Sequence, residues 1–414
     1  MNMAKRLLLC GLMLLGAGPT HAVPASARFE PEVEVGNLKR TRISYVKALV
    51  RDCVAAQGAA SLPVIDVPAL EQCITNSEIF SEVQVSVGDA ITVELKERWT
   101  LIPIPFFRSQ QDSTSYGLFV AESNFLGRGK LFFAGASTGS LGQSYLLMIQ
   151  DPSVAFSDWT SRLLLQRSDE DVLRYQGDNK IDGFHQEETL VHVAPGYRFT
   201  PHLEAFWSVG YAARRFRTAE EFSSDPEDYR FWVTGPTLEF DFTEYKFFFQ
   251  QGHQVKLALN QQFARSGGGR DATGYQLNYD WQQRLGWHNV LKLNAVVAGT
   301  SSADLRDSDK IGGDGSLRGI EGGGLWVRHV AGVTLDYQIP LWEGDFGTWA
   351  AGPFGAYARY QGPENGGEWE ASRAYGAGLF LFLKEIAIPG IGVVVGRNPD
   401  FLGNFVDAQV GFGF

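Results

Sequence analysis

The segment Phe405-Val406-Asp407-Ala408-Gln409-Val410-Gly411-Phe412-Gly413-Phe414 alternates apolar with small or polar residues without a break. In an extended chain Val406, Ala408, Val410, Phe412 and Phe414 share one face, while Asp407, Gln409, Gly411 and Gly413 share the other. One face suits hydrocarbon and the other suits water. The same period recurs upstream. Leu203, Ala205, Trp207, Val209, Tyr211 and Ala213 alternate with Glu204, Phe206, Ser208, Gly210, Ala212 and Arg214. Val255, Leu257 and Leu259 do so as well, as do Tyr275, Leu277, Tyr279 and Trp281.

From Ser115 onward the pattern gives about sixteen antiparallel strands, with segments of ~9–11 residues suited to crossing a bilayer as a closed barrel. Aromatic residues gather near strand ends, as in Phe231-Trp232, Phe247-Phe248-Phe249, Trp281 and Trp287, where interfacial girdles belong. Gly139–Gly142 and Thr200–His202 read as tight periplasmic turns, and Arg217–Tyr229 and Thr300–Gly324 as long external loops. The reading is a membrane β-barrel over residues 113–414. Between Ser168 and Gln186 the strand pattern is ambiguous.

The amino terminus carries Lys5 and Arg6, an apolar run from Leu7 to Leu15, and small residues before Ala22 and Ala27. That is a secretory signal over residues 1–22, alternatively 1–27. Leu9 before Cys10 is the wrong residue for a lipoprotein site. Losing Lys5 and Arg6 takes the formal charge from −11 to about −13, which argues against nucleic acid as a partner. Cys53 and Cys73 then remain as an even pair in an exported chain, where a disulfide persists; two buried thiols are the alternative. No histidine lies near either, so no metal site is expected.

Between residues 29 and 99 the periodicity changes. Glu32–Val35 reads as a strand, Thr41 as the cap of a helix bearing Ile43, Val46, Leu49, Val50 and Cys53, and Pro68 as the start of a second helix. Val83–Val87 and Ile91–Leu95 then form a hairpin about Gly88-Asp89. The order is β-α-α-β-β, a small α+β domain.

Gly36-Asn37, Thr41, Ile79-Phe80 and Glu97-Arg98-Trp99 resemble the POTRA domain of outer-membrane assembly factors. Downstream, Gly312-Gly313, Leu317-Arg318-Gly319, Asp336-Tyr337-Gln338-Ile339-Pro340, Asn124 to Gly129 and the terminal Phe414 are similar to the barrel of the same superfamily. That superfamily includes the Bam and Tam barrels, two-partner secretion transporters and surface antigens. The resemblance implies an outer-membrane location with the small domain in the periplasm, an Arg-Gly loop folded into the lumen, and no cofactor.

It also implies an unfolded client protein for insertion or secretion, surrounding lipid and lipopolysaccharide, room for accessory periplasmic proteins, and a monomeric barrel. If Leu325, Val327, Ala331, Val333, Leu335 and Tyr337 face lipid, Asp336 points inward and is the acid for Arg318. The family's second acid, on the following strand, is missing from Gly352–Ala358, where Tyr357 is the candidate substitute. Gly117, Gly411 and Gly413 mark a weak seam at which the last strand pairs with Tyr116–Glu122, and Phe412 and Phe414 resemble the carboxyl-terminal signal by which assembly machinery recognises a new barrel.

The histidines make no catalytic set, and no serine lies in a nucleophile elbow. No catalytic residue is assigned. A passive channel and an outer-membrane hydrolase are the alternatives, separable by steady conductance and by activity on phospholipid micelles.

Overall fold

Backbone hydrogen bonding, the requirement any chain crossing hydrocarbon must meet internally, is met here by closing a sheet on itself. The computed structural model describes residues 31–36, 38–110, 113–176, 179–218, 227–246, 249–267, 271–302, 309–311, 318, 325–362, 368–385, 390–400 and 403–410. The segment expected to be a signal and Gly411–Phe414 lie outside them.

The small domain comprises β1 (Val33–Gly36), α1 (Ile43–Ala56), α2 (Val67–Thr75), β2 (Phe80–Val87) and β3 (Ile91–Glu97). The sheet order is β1-β3-β2, with β1 parallel and β2 antiparallel to β3. Tyr45, Val46, Val50, Cys53 and Val54 are buried on α1, and Leu70 and Ile74 on α2, against Val33, Phe80, Ile91 and Val93. Ile43, expected on that face, is exposed. Asp66 caps α2 by accepting from the Ala69 N–H at 3.1 Å. A disulfide joins Cys53 to Cys73, linking the two helices.

The barrel strands are β4 (Leu101–Gln110), β5 (Ser113–Phe125), β6 (Lys130–Gly139), β7 (Gly142–Asp151), β8 (Trp159–Gln176), β9 (Asn179–Thr200), β10 (Leu203–Thr218), β11 (Tyr229–Asp241), β12 (Glu244–Tyr245), β13 (Gln250–Gly267), β14 (Ala272–Arg284) and β15 (Val290–Thr300). A separate ribbon of β16 (Asp309–Ile311) and β17 (Leu325–Val327) follows. The barrel then resumes with β18 (His329–Glu343), β19 (Gly347–Gln361), β20 (Glu370–Leu383), β21 (Ile391–Asn398) and β22 (Gly403–Val410), and β22 closes on β4. Sixteen of these strands form the wall, and β12 adds a two-residue rung to β13.

Three expectations change. The barrel begins at Leu101 rather than residue 113, because β4 precedes the segment Tyr116–Glu122. Gly117 therefore sits in β5, paired with Ser137 of β6 and Phe106 of β4, one strand from the seam. A Cβ there would meet the Ala136 carbonyl at 2.4 Å, so this glycine lets β6 approach closely. Finally, β7, β8 and β9 separate Gly139–Gly142 from Thr200–His202. The two turns fall at opposite ends of the barrel, and Gly139–Gly142 is at the end far from the small domain.

The outer surface is sorted by position. Tyr116, Tyr145, Trp232, Tyr275, Tyr357 and Tyr375 are exposed toward the far end, and Trp159, Phe199, Trp287, Trp342 and Trp349 toward the near end. Leu118, Leu165, Val209, Leu257, Val333 and Val393 lie exposed between them. This is an apolar band between two aromatic girdles, the surface a bilayer wets. Phe231 and Phe249, expected among the girdle residues, are buried instead.

The disulfide closes a loop of sequence separation 20, which supports about 3 kcal/mol of stabilisation. Replacing both Cys53 and Cys73 by Ser is expected to leave a heat-modifiable barrel while protease cleavage within residues 43–75 accelerates; equal cleavage of both forms would contradict this.

Candidate functional site

Inside the barrel, β18 alternates strictly. Val330, Thr334, Asp336 and Gln338 are buried, whereas Ala331, Val333, Leu335 and Ile339 are exposed. The chain after β15 leaves the wall, forms the β16–β17 ribbon, and returns at His329. Val327 packs with Val296, Ala298, Val330, Ala358 and Tyr360 on the wall's inner face, and β17 also comes against β8. Leu325 and Val327 are thus ribbon residues, and Val327 is fully buried rather than lipid-facing.

Arg318 belongs to this inserted segment and reaches the middle of β18. Its Nη1 donates to Asp336 Oδ1, and both side chains are almost wholly buried. The guanidinium also lies over the Phe354 ring, 4.8 Å from its centroid. Phe354 is the register partner of Asp336 on β19, so an aromatic face occupies the place where the family pattern implies a second acid. Tyr357, the candidate substitute, is 45% exposed on the outer face and does not reach the lumen.

Lys292 of β15 is the other register partner of Asp336 and is itself buried. Gly312, Gly313, Leu317 and Gly319 lie outside the described residues.

A second luminal cluster was not anticipated. Arg162 donates to both Glu239 oxygens, at 2.7 and 2.6 Å, and Lys256 Nζ lies 3.1 Å from Glu239 Oε1. Arg162 also covers the Phe206 ring at 3.8 Å. The sequence signal was there, since all four residues lie on the polar-phase positions of their strands. Nothing in one sequence says that β8, β10, β11 and β13 bring them together.

The small domain is seated on the barrel rim at three places. At the β5–β6 turn, the Arg42 N–H donates to the Gly127 carbonyl at 2.9 Å, and Asn124 Nδ2 donates to Thr41 Oγ1 at 2.8 Å. Gly127 and Gly129 have φ of +70 and +63, and a Cβ on Gly129 would meet Tyr45 Oη at 2.2 Å. Glycine is required there both for backbone angle and for space. Thr41 is accordingly not the cap of α1, whose N-cap is Arg42. Its hydroxyl is turned to the barrel.

At the β11–β13 turn, Arg98 Nη1 donates to Tyr245 Oη at 2.8 Å, and the Tyr245 N–H donates to Asn76 Oδ1 at 3.1 Å. At the end of β20, Arg98 Nε donates to the Lys384 carbonyl at 2.9 Å, and the Trp99 N–H to the Glu385 carbonyl at 3.0 Å. These turns lie on well-separated arcs of the ring, so the domain spans the mouth.

Glu97 organises the seat. Its carboxylate accepts from the Lys39, Arg40 and Thr41 N–H groups at 2.8, 3.1 and 2.6 Å. Burial alone would raise this carboxyl, but the hydrogen bonds from Thr41, Lys39 and Arg40 outweigh it and hold it below its ordinary value. Burial of Glu78, near Arg98, acts the other way and raises its carboxyl.

On the outer face, Asp169, His185 and Glu187 bring ligand-type atoms within 4.8 Å of one another. Both ring nitrogens of His185 already face Asp169 and Asp171, at 2.8 and 2.9 Å, and Glu187 pairs with Arg217.

A closed membrane barrel with an arginine-pinned internal segment and a small α+β domain on one rim is the class these observations define. No protein-family model and no curated protein sequence matches the chain. Solved structures do match it. BamA from Haemophilus ducreyi lacking POTRA domains 1–3 aligns at TM-score 0.56 and 13% identity, over 91% of this chain and 82% of that one. CdiB from Acinetobacter baumannii aligns at 0.56 and 12%, over 91% and 72%, and CdiB from Escherichia coli at 0.57 and 12%, over 92% and 75%. The chain has the fold of these barrels.

Two outcomes follow from this geometry. Arg318 and Asp336 are buried partners, so removing either leaves the other without its ion-pair partner. Arg318→Ala and Asp336→Ala are each expected to cost about 3–5 kcal/mol, and the double variant clearly less than the sum. The midpoint of the heat-induced gel shift in detergent reads all three, and strict additivity would contradict the pairing.

The rim seat should also respond to acid. A carboxyl held low in the folded protein contributes stability above its unfolded value and loses it as pH falls through the folded one. Glu78, held high, gains on protonation, so the loss belongs to Glu97 and begins below the ordinary value of 4.5. Amide exchange at Lys39–Thr41, corrected for intrinsic rate, should accelerate there in wild type. Glu97→Gln should instead exchange faster at neutral pH and show little further acid response.

Proposed function

We propose that this protein is an outer-membrane assembly or translocation factor with its POTRA-type domain in the periplasm. The domain receives an unfolded client and the barrel inserts it or passes it across. The observation that carries this reading is the Arg318–Asp336 contact, a buried ion pair between the connection from β15 to β18 and the inner face of the wall. A passive pore has no use for a cation from that connection fixed onto its inner wall. The shared fold with BamA and CdiB supports the same class.

Client entry at the domain fits the sheet order, in which β2 is an edge. The Val85 N–H points to that free edge and is held by Glu71 Oε1 at 2.9 Å. An incoming strand adding to β2 displaces this one side-chain bond and gains a backbone ladder. The acid covers the edge between clients, a common way of protecting such strands.

The test is depletion of the native protein with rescue by Arg318→Ala. The variant should reach the outer membrane as a heat-modifiable barrel and yet leave client proteins unassembled or unsecreted. Full rescue would remove the loop from the mechanism. Steady open conductance of the wild-type protein in planar bilayers would favour the passive channel.

A further inference from the structure

A positive φ sets the Cβ of an L-residue against the following carbonyl, so the left-handed region is left to glycine and, less often, to asparagine or aspartate. Among the described non-glycine residues, Glu78, Leu126, Ala155, Phe156, Trp287 and His288 have a positive φ. All but Glu78 lie in turns at the end of the barrel nearer the small domain. The turns concerned are β5–β6, β7–β8 and β14–β15.

Two of these turns are two-residue reversals. The Ser157 N–H donates to the Val154 carbonyl across Ala155-Phe156, and the Asn289 N–H to the Gly286 carbonyl across Trp287-His288. φ is +53 and +61 in the first, and +62 and +64 in the second. A reversal of this hand normally takes Asn-Gly or Gly-Gly. Leu126, with φ +60, sits inside the Asn124–Gly127 turn, which the Gly127 N–H closes on the Asn124 carbonyl.

The strain has no offset inside the protein. Trp287 is 94% exposed, Leu126 58% and Phe156 43%, so these side chains give little apolar surface to the fold. Asparagine at any of the three places would keep the reversal and relieve the backbone. Strain held for a side chain that the protein does not bury points to a partner outside it.

The position of the turns selects that partner. They lie just beyond the exposed Trp159, Phe199 and Trp349 of the near-end girdle, and the β5–β6 and β14–β15 turns are on opposite sides of the sixteen-strand ring. A bound protein covers one arc, whereas a bilayer meets the rim all the way round. The headgroup layer suits these side chains, the aromatic ones above all.

We infer that Leu126, Phe156 and Trp287 are interfacial anchors, set by strained turns into the headgroup layer of the leaflet nearer the small domain. Lipid contact offsets the strain, and this rim fixes the height of the barrel in the membrane. The inference rests on the lipid-facing surface and not on client handling.

The experiment uses the full-length protein in liposomes of phosphatidylethanolamine and phosphatidylglycerol. Leu126→Cys, Phe156→Cys and Trp287→Cys, made singly, each carry an environment-sensitive fluorophore. Lipids brominated near the glycerol end of their chains should quench all three more strongly than aqueous iodide does. Stronger quenching by iodide at Phe156→Cys and Trp287→Cys would overturn the inference.

Urea unfolding in the same liposomes supplies a test of sign. Phe156→Asn and Trp287→Asn relieve the backbone, so side chains that met only water would leave both variants more stable than wild type. Anchors do the reverse: the midpoint should fall in both, while Trp287→Phe stays close to wild type. A raised or unchanged midpoint in both asparagine variants would overturn the inference. Quenching is read on labelled variants and the midpoint on unlabelled ones, so a variant that fails to fold leaves the other measurement standing. A protein that passes both tests but rescues no client in the depletion assay counts against the proposed function alone.

Discussion

Every amide that enters hydrocarbon has to find its partner within the chain, and nearly everything in this structure follows from that demand. Sixteen strands meet it by forming a ring. The ring forces side chains into two populations, and the sequence supplies them in strict alternation: Ala331, Val333 and Leu335 outward, Val330, Thr334 and Asp336 inward. The place where the ring is closed matters most, because there the ladder is formed between the most distant parts of the chain.

An interior that excludes lipid is where this protein places its charge. Asp336 pairs with Arg318, with Phe354 beneath the guanidinium. Glu239 is shared by two cations, Arg162 and Lys256. At the mouth the chemistry changes to backbone carbonyls, amides and neutral side chains, with Arg98 and Glu97 as organising charges. The small domain is thus fixed to the rim by many modest contacts rather than by one strong pair.

Much of this was legible because period two is a local property. The alternation at Phe405–Val410, the helices around Val46–Cys53 and Leu70–Ile74, and the hairpin at Gly88-Asp89 all declare themselves within a few residues. The Arg318–Asp336 pair was legible for a different reason: burial leaves an inward acid few options. What stayed hidden was either atypical locally or dependent on distant register. β4 was missed because its prolines argue against a strand, and with it the true seam partner of β22 and the place of Gly117. The ambiguous stretch Ser168–Gln186 holds the end of β8 and the start of β9, so the end at which Gly139–Gly142 turns was misread. Tyr357 looked like a substitute acid until register put it on the outer row. Thr41 read as a cap because nothing nearby reveals that Asn124 of the barrel lies against it.

The central claim, that these strands form a cylinder wetted by lipid outside and packed with polar side chains inside, is tested most directly by single spin labels at residues 330–335 in proteoliposomes. Labels at 331, 333 and 335 should be relaxed strongly by oxygen and weakly by a water-soluble nickel complex. Those at 330, 332 and 334 should show the opposite or neither. Loss of that alternation, with every site relaxed alike, would contradict the account.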